Sequence, residues 1–321
     1  MIHNNSSKGV NVQLQVAAFY CFSEVDPDIA ELLPLELSNI ADQHQIRGTV
    51  LVGLEGINGT ICGSEEAVGI LLGKLHSIGL KNPLQIKFSW SDKQAFRRFK
   101  SRRKNEIVTM GIPEVSPNET VGTYVEPSQW NEFVDDPETI LIDTRNEYEI
   151  GVGTFEGAVN PHTDKFRDFP EWVDNNLNSL LEENSAKRIA MFCTGGIRCE
   201  KATSFLNKRG FTEVHHLRGG ILRYLEEVPQ SDSRWKGECF VFDQRVSLNH
   251  HLNPGVYKLC YACGMPLSPT DCDNPIYMPG VQCLNCKDSF TDDDRARFAE
   301  RQKHIDKLSK RLPGNTIWPS A

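Results

Sequence analysis

The segment that most constrains the fold of this chain is residues 189–206, IAMFCTGGIRCEKATSFL. It predicts a short buried strand, a glycine-containing loop and a helix that ends near Gly210, where a left-handed C-cap is common. A cysteine at the carboxyl edge of such a strand lies among N–H groups whose partial positive charge favours a thiolate or a persulfide anion. Cys193 is therefore a candidate nucleophile.

The loop after Cys193 has a composition suited to an anionic sulfur. Its glycines permit backbone angles that turn N–H groups inward, and Arg198 adds a fixed positive charge. Cysteine phosphatases use a longer spacing between cysteine and arginine, so this smaller loop suits a sulfur atom better than a phosphate. A buried, inert cysteine beside a glycine turn is the alternative interpretation. The residues between the two are Thr194, Gly195, Gly196 and Ile197.

Cys199 begins the predicted helix, and two interpretations stay open for it. Its thiol could resolve an oxidised or persulfidated Cys193 by forming a disulfide, or it could pack as a small apolar side chain. A further group of polar residues could lie near the loop or be ordinary surface and packing residues. These are His162, Asp164, Arg167, His215 and His216.

A length of 321 residues predicts two or three domains, and we divide the chain into 1–120, 121–230 and 231–321. The first part has the order strand, helix, strand, strand, helix, strand, typical of a ferredoxin-like or acylphosphatase-like sandwich of the α+β type. Pro34 is a candidate break in its first helix. The second part alternates strands and helices, which predicts an α/β domain with a parallel sheet.

The third part is rich in cysteine and turn residues. Cys260-x2-Cys263 and Cys283-x2-Cys286 have 19 residues between them, the spacing of a four-thiolate zinc site. All four tetrahedral positions would be filled by protein, so the metal would be structural and would stabilise a small zinc-ribbon-like module. A redox-active or vestigial dithiol pair, with Cys272 as a bystander, is the alternative. A helix is predicted to follow over 291–311.

The chain carries 35 Lys and Arg against 43 Asp and Glu, and a net charge of −8 argues against indiscriminate polyanion binding. Residues 93–104, KQAFRRFKSRRK, nevertheless hold seven basic and no acidic side chains. This stretch could contact a phosphate backbone or be a solvated basic face. Neither an export signal nor a membrane-spanning run is evident, so we expect a cytoplasmic protein.

Several motifs resemble known families. CTGGIR resembles the Cys-x-x-Gly-x-Arg active loop of the rhodanese family, LIDTRNEYE its Asp-x-Arg segment, GTFEGAVN its Gly-x-x-x-Gly-Ala-x-Asn segment and LRGG its late glycine turn. Together with EGINGT, RRKNEIVTMG, FRDFPEWVDNNL, GECFVFDQRV and CYACGMPLS, they resemble the bacterial tRNA uridine hydroxylase family, which contains a rhodanese domain. The resemblance covers nearly the whole chain.

The resemblance implies an oxidoreductase that converts the wobble uridine in the anticodon loop of tRNA to 5-hydroxyuridine, with molecular oxygen as co-substrate. It assigns the reactive sulfur to Cys193 and the stabilisation of its anion to Arg198 and the loop amides. The Cys193 thiolate would add to C6 of the uracil and activate C5 toward oxygen, or a thiol-derived oxidant would deliver the oxygen. No flavin or nicotinamide motif and no iron-binding signature is evident in the sequence.

With tRNA as the expected partner, the basic stretch becomes a candidate phosphate-binding surface. Two other functions stay open: a persulfide sulfurtransferase acting on a small thiophile or on tRNA, and a zinc-bearing RNA- or protein-binding module without catalytic activity. The candidate tRNA contacts are Arg97, Arg98, Lys100, Arg102, Arg103 and Lys104.

Overall fold

The amino-terminal part of the chain is a five-stranded sheet with two helices on one face, in a computed structural model that describes residues 13–311. Its elements are β1 (Leu14–Phe22), α1 (Pro27–Gln43), β2 (Arg47–Gly53), β3 (Gly56–Gly63), α2 (Glu65–His76), β4 (Gln85–Ser91) and β5 (Phe99–Arg103). The strand order is β4-β1-β3-β2-β5, in which β2 and β5 are parallel and the other neighbours antiparallel. The order of β1 to β4 confirms the predicted ferredoxin-like sandwich.

The basic stretch forms β5, an additional edge strand that the sequence did not predict. Its charged residues lack the alternation of apolar and polar side chains that identifies a strand. β5 forms because β2 would otherwise present an unpaired edge, and backbone pairing with β2 satisfies it.

Helix α1 continues through Pro34, so the candidate break at this residue is wrong. An interior proline costs a helix about 3 kcal/mol. Leu33 and Leu37 on either side of it are fully buried, and burial of each leucine stabilises the fold by about 2 kcal/mol. The packing of α1 against the sheet therefore offsets the cost of the proline.

The central part of the chain is a parallel sheet covered by helices, as predicted. Its elements are β6 (Thr123–Val125), α3 (Pro127–Val134), β7 (Thr139–Asp143), α4 (Glu147–Ile150), β8 (Gly153–Phe155), α5 (Phe169–Glu183), β9 (Arg188–Phe192), α6 (Ile197–Lys208), β10 (Val214–Leu217) and α7 (Gly220–Glu227). The four parallel strands have the order β6-β10-β9-β7. Cys193 follows β9, an interior strand, so its loop lies at the carboxyl edge of the sheet.

The carboxyl-terminal part consists of short hairpins, a helical turn and one long helix. Its elements are β11 (Trp235–Gly237), β12 (Cys239–Phe240), β13 (Ser247–Leu248), β14 (Lys258–Leu259), β15 (Pro266–Leu267), α8 (Pro269–Asp273) and α9 (Asp292–Arg311). β11 pairs with β8, and Trp235, Cys239 and Leu248 pack in one core with Phe155 and Phe192 of the central domain. The division at residues 120 and 230 stays a prediction. Between residues 13 and 311, no helix is long and apolar enough to cross a membrane.

Buried polar contacts join the amino-terminal sheet to the central domain. Lys201 of α6, only 1% exposed, donates hydrogen bonds to Glu55 (3.1 Å), to Glu106 (2.5 Å) and to the carbonyl of Val108 (3.0 Å). Because Glu55 lies in the β2–β3 turn and Glu106 follows β5, one ammonium group holds both segments against α6.

Candidate functional site

A cavity of about 880 Å³ separates the face of the amino-terminal sheet opposite its helices from the loop after β9, and we call it the Cys193 cavity. One wall comes from β1, β3 and β4 and includes Tyr20 and Asn58. Because the two walls belong to different parts of the chain, the cavity depends on the docking of the amino-terminal and central folds. The residues of the loop and of the start of α6 that line it are Cys193, Thr194, Gly195, Ile197 and Arg198.

Further lining residues add positive charge and an exposed aromatic ring. Lys87 and Arg223 line the cavity while paired with glutamates of the protein, and Lys165 and Arg167 line it from the segment before α5. Phe242, between β12 and β13, is 63% exposed and reaches the same cavity. Cations and aromatic faces are the groups that bind the phosphates and splayed bases of single-stranded RNA.

The sulfur of Cys193 lies in an environment that favours its anion. The backbone N–H of Gly196 donates a hydrogen bond to Cys193 Sγ over 3.1 Å. Burial by itself raises the pKa of the Cys193 thiol, but the Cys199 thiol, the Arg198 charge and the amides of Cys199 and Gly196 outweigh it and lower this pKa to about 6. A thiolate is therefore the main form at neutral pH, as a nucleophile requires.

Arg198 is held in place by Glu149, a residue that the sequence did not single out. Its two terminal nitrogens donate to the two Glu149 carboxylate oxygens at 2.6 Å and 2.8 Å, and one of them also donates to Thr194 Oγ1 at 3.3 Å. Glu149 is fully buried, and the charge of Arg198 keeps the pKa of its carboxyl low against the effect of burial. Glu149 lies within the motif LIDTRNEYE, which offered the only signal for it.

The Asp-x-Arg segment of the same motif has a structural role. Arg145 is fully buried and donates to Asp143 through Nε (2.9 Å) and Nη2 (2.6 Å). Arg145 also donates to the carbonyls of Glu149 (3.3 Å) and Gly153 (2.5 Å). The pair thereby fixes the backbone that carries Glu149 and, through it, the orientation of Arg198.

Cys199 is fully buried at the start of α6. Burial, together with the neighbouring Cys193 sulfur, raises the pKa of the Cys199 thiol well above its usual range. Cys199 consequently keeps its proton and donates it in a hydrogen bond toward the Cys193 thiolate, while Thr144 Oγ1 lies 3.6 Å from its own sulfur. The two cysteines are free thiols in this structure.

Sequence reasoning also missed Tyr20 and Glu200. Glu200, which follows Cys199 in α6, is 6% exposed and accepts a 2.7 Å hydrogen bond from Tyr20 Oη, which comes from the amino-terminal sheet. The signal was the pair Glu200 and Lys201 within the helix, but charged residues in a helix ordinarily predict a solvated face. Only the docking of the two folds shows that these charges face inward.

The structure separates the five polar residues predicted near the loop. Arg167 lines the Cys193 cavity, whereas the other four are absent from the described lining. His162 is exposed and hydrogen-bonds Glu147, and His216 is buried against the ring of Tyr124, 4.2 Å between centroids. The others in this group are Asp164, which is exposed, and His215, which stacks on Phe133.

The basic stretch presents two faces. Arg103 points toward α1 and pairs with Glu31 (3.1 Å). Lys100 and Arg102 alternate with it and lie on the opposite face, the face that also forms the wall of the Cys193 cavity. Lys100 is two strands away from Thr60 of the cavity wall, about 10 Å at ordinary strand spacing. The other predicted contacts, Arg97, Arg98 and Lys104, flank the strand.

The four cysteines of the tail come together as a cluster. The sulfurs of Cys260, Cys263, Cys283 and Cys286 all lie within 4.8 Å of one another, and three of the pairs are 3.7 to 4.0 Å apart. Four ligands at about 2.3 Å from a tetrahedral zinc would lie about 3.8 Å from each other. The cluster therefore fits a metal ion bound by four thiolates. Cys272 packs beside the cluster.

Comparisons with known proteins agree with these features. Residues 14–107 match the UPF0176 acylphosphatase like domain, and residues 126–227 match the rhodanese-like domain. A protein of the cyanobacterium Prochlorococcus marinus named tRNA uridine(34) hydroxylase is 62% identical over 321 residues, covering 100% of both chains. Proteins of the same name from another strain of P. marinus (NATL1A) and from Synechococcus sp. (strain CC9605) are 53% and 56% identical over 96% and 92% of this chain and 96% and 91% of their own. The chain belongs to the tRNA uridine(34) hydroxylase family.

Proposed function

We propose that this protein hydroxylates C5 of uridine 34, the wobble base in the anticodon loop of tRNA. The observation that carries the proposal is the thiolate of Cys193 in a cavity of about 880 Å³ whose lining includes cations and an exposed phenylalanine. This volume falls within the range of about 300 to 1,000 Å³ typical of ligand sites. An unpaired anticodon base can splay out into such a site, which a base in a duplex cannot do without flipping.

The proposed chemistry begins with addition of the Cys193 thiolate to C6 of the uracil. The added electron pair makes C5 enolate-like, and C5 then reacts with the oxidant, for which we propose molecular oxygen. Replacing C5–H by C5–OH with dioxygen also consumes two electrons from a reductant and releases water. The assay below therefore includes a thiol reductant.

The residues of the loop have distinct roles in this proposal. Arg198 and the loop amides stabilise the anionic sulfur, and Cys199 donates a hydrogen bond to it, which leaves open its use as a resolving thiol. Lys100 and Arg102 on the cavity side of β5 extend the positive surface along which the tRNA backbone would lie. The loop residues in the proposed site are Thr194, Gly195, Gly196 and Ile197, and the other proposed tRNA contacts are Arg97, Arg98, Arg103 and Lys104.

Zinc is the metal that we propose for the four-cysteine cluster, because thiolate ligands at tetrahedral spacing suit it. Cys260, Cys263, Cys283 and Cys286 would hold it in a structural role. Metal analysis of freshly reduced protein should find about one zinc per chain, and Cys283→Ser should lose it while Cys272→Ser retains it. Less than half an equivalent in the unchanged protein would contradict the assignment.

The function is tested by nucleoside mass spectrometry of tRNA from cells with and without the gene. Loss of 5-hydroxyuridine on deletion, restoration by the gene and no restoration by Cys193→Ser are the expected results. The purified protein with tRNA and a thiol should form the product in air and not under nitrogen. Unchanged modification in the deletion strain would refute the proposal, and thiosulfate-dependent sulfur transfer without hydroxylation would favour a persulfide sulfurtransferase.

A further inference from the structure

The hydroxyl of Tyr20 lies over the active loop, although Tyr20 belongs to the amino-terminal sheet. Tyr20 lines the Cys193 cavity, and a Cβ added to Gly196 would come within 2.7 Å of Tyr20 Oη. Gly196 is the residue whose N–H binds the Cys193 sulfur. A uracil attached to that sulfur through C6 would therefore lie beside the phenol.

The orientation of the Tyr20 hydroxyl is set by Glu200. Tyr20 Oη donates its proton to Glu200 Oε1 over 2.7 Å, so a lone pair of the same oxygen is left to accept a hydrogen bond or a proton from elsewhere. Tyr20 is 6% exposed and Glu200 also 6%, so bulk water does not compete for this bond. The second hydrogen-bond donor to the Glu200 side chain is Tyr124.

The Glu200 carboxylate is a stronger base than an ordinary one. Burial raises the pKa of the Glu200 carboxyl, and the hydrogen bonds from Tyr20 and Tyr124 offset this only in part. Burial also raises the pKa of Tyr20, and the charge of Glu200 adds to the effect, so the phenol stays neutral. A neutral phenol between a cavity and a buried carboxylate can pass a proton in either direction without itself becoming charged.

We propose that Tyr20 is the catalytic acid and base at C5 of the uracil, and that Glu200 is its positioning residue and proton acceptor. The inference rests on the proposed function and deepens it, because any reaction through a C6 adduct must restore the C5=C6 double bond.

The proposed step balances without an oxidant. The C5–H bond breaks and its proton moves to Tyr20 Oη, while the proton of Tyr20 moves to Glu200. The electron pair of the C5–H bond forms the C5=C6 double bond, the C6–S bond breaks, and the sulfur leaves as the Cys193 thiolate. In the opposite direction the thiolate adds to C6, and C5 takes a proton from Tyr20.

This step can be observed without oxygen. In deuterium oxide under nitrogen, reversible addition of Cys193 and protonation at C5 should replace hydrogen by deuterium at C5 of uridine 34. Mass spectrometry of the nucleosides measures the rate. Because general acid–base groups contribute about 10² to 10⁴ in rate, Tyr20→Phe should slow the exchange about 100-fold or more, and aerobic hydroxylation with it.

Glu200→Gln is the matched variant, because glutamine keeps the volume and can still accept the hydrogen bond of Tyr20 but cannot take its proton. We expect the same slowing of exchange, with tRNA affinity and the alkylation profile of Cys193 close to those of the unchanged protein. Tyr257→Phe, a loss of a phenol outside the described cavity lining, serves as the control. A merely structural role of Glu200 would alter binding or alkylation as much as exchange.

The outcomes separate this inference from the function on which it rests. Exchange at the unchanged rate in Tyr20→Phe and Glu200→Gln would overturn the inference while leaving hydroxylation intact. Aerobic hydroxylation by the unchanged protein with no anaerobic exchange would overturn it as well. Failure of the unchanged protein to hydroxylate tRNA in air would refute the proposed function itself.

Discussion

At Cys193, burial and the surrounding positive charges act on the thiol in opposite directions. Burial disfavours a thiolate, whereas the Cys199 thiol, Arg198 and two amides favour it, and the second group prevails. Arg198 has this effect because Glu149 holds it rigidly, at 2.6 and 2.8 Å. The reactivity of one sulfur therefore depends on a carboxylate that belongs to another element.

The reactivity of Cys193 should follow a pKa of about 6. Since the pKa is lowered, the thiolate is present at neutral pH and is lost as the pH falls through 6. The rate of Cys193 alkylation by iodoacetamide, measured by peptide mass spectrometry, should be half-maximal near that pH. A midpoint near the ordinary cysteine value of about 8.5 would contradict this prediction.

The matched variant removes the charge of Arg198 without leaving a buried carboxylate unpaired. In the double variant Glu149→Gln/Arg198→Met, we expect the alkylation midpoint to rise by about one pH unit or more. An unchanged midpoint would show that the loop amides and Cys199 suffice to stabilise the thiolate.

Gly196 and Gly195 should differ in their tolerance of alanine. Gly196 has φ +104° and a Cβ there would meet Tyr20 Oη at 2.7 Å, whereas a Cβ on Gly195 would meet nothing within 4 Å. Gly196→Ala should lower the free energy of unfolding by about 1 to 3 kcal/mol and slow hydroxylation, because Tyr20 and the loop must both shift. Gly195→Ala is the control, and urea denaturation is the measurement. Equal effects of the two substitutions would contradict the loop geometry.

At the level of the element, the alternation of side chains in β5 divides one basic stretch between two faces. Arg103 is directed toward Glu31 of α1, and Lys100 and Arg102 are directed to the side of the Cys193 cavity. Net positive charge in the sequence thus overstates the number of cations that one ligand can contact.

The two faces of β5 should contribute differently to tRNA binding. Replacing Lys100 and Arg102 by alanine removes two cations on the cavity side, so the slope of log affinity against log salt should fall in magnitude by about 1.4 to 1.8. Arg103→Ala is the control and should leave the slope nearly unchanged, since this side chain is paired on the other face. Binding titrations at several salt concentrations provide the measurement, and equal slopes for all variants would return β5 to a solvated face.

At the scale of the whole molecule, the candidate site exists because two folds dock. Neither the amino-terminal sheet nor the central domain encloses the Cys193 cavity alone. Their contact is polar and buried: Lys201 bridges Glu55 and Glu106, and Tyr20 meets Glu200. Such contacts stabilise one docking geometry and penalise the others, because every displaced arrangement leaves a buried charge without a partner.

Lys201→Met should therefore destabilise the protein strongly. It leaves Glu55 and Glu106 without their partner at a buried contact, at a cost of about 3 to 5 kcal/mol in the free energy of unfolding. Lys187→Met is the matched control, since Lys187 pairs with Glu138 at the surface and its loss should cost no more than about 0.5 kcal/mol. Urea denaturation measures both, and a small effect at Lys201 would mean that the docking does not depend on this charge.

Much of the fold was predictable because its determinants are local. The order of strands and helices in the first part, the strand, loop and helix around Cys193, and the spacing of the four cysteines are all encoded within short segments. β5 was not predictable in this way, because it depends on the unpaired edge of β2 rather than on its own pattern. The continuity of α1 through Pro34 likewise depends on packing of its buried leucines.

The sequence by itself determined the reactive sulfur, its loop and the family, since these follow from residues adjacent in the chain. The tertiary structure alone decided which groups face that sulfur. Glu149, Tyr20 and Glu200 are brought to the site from α4, β1 and α6, and their roles depend on burial and orientation. A charged or phenolic side chain has the same letter whether it is solvated or buried, and only the docking of the two folds removes the water from these three.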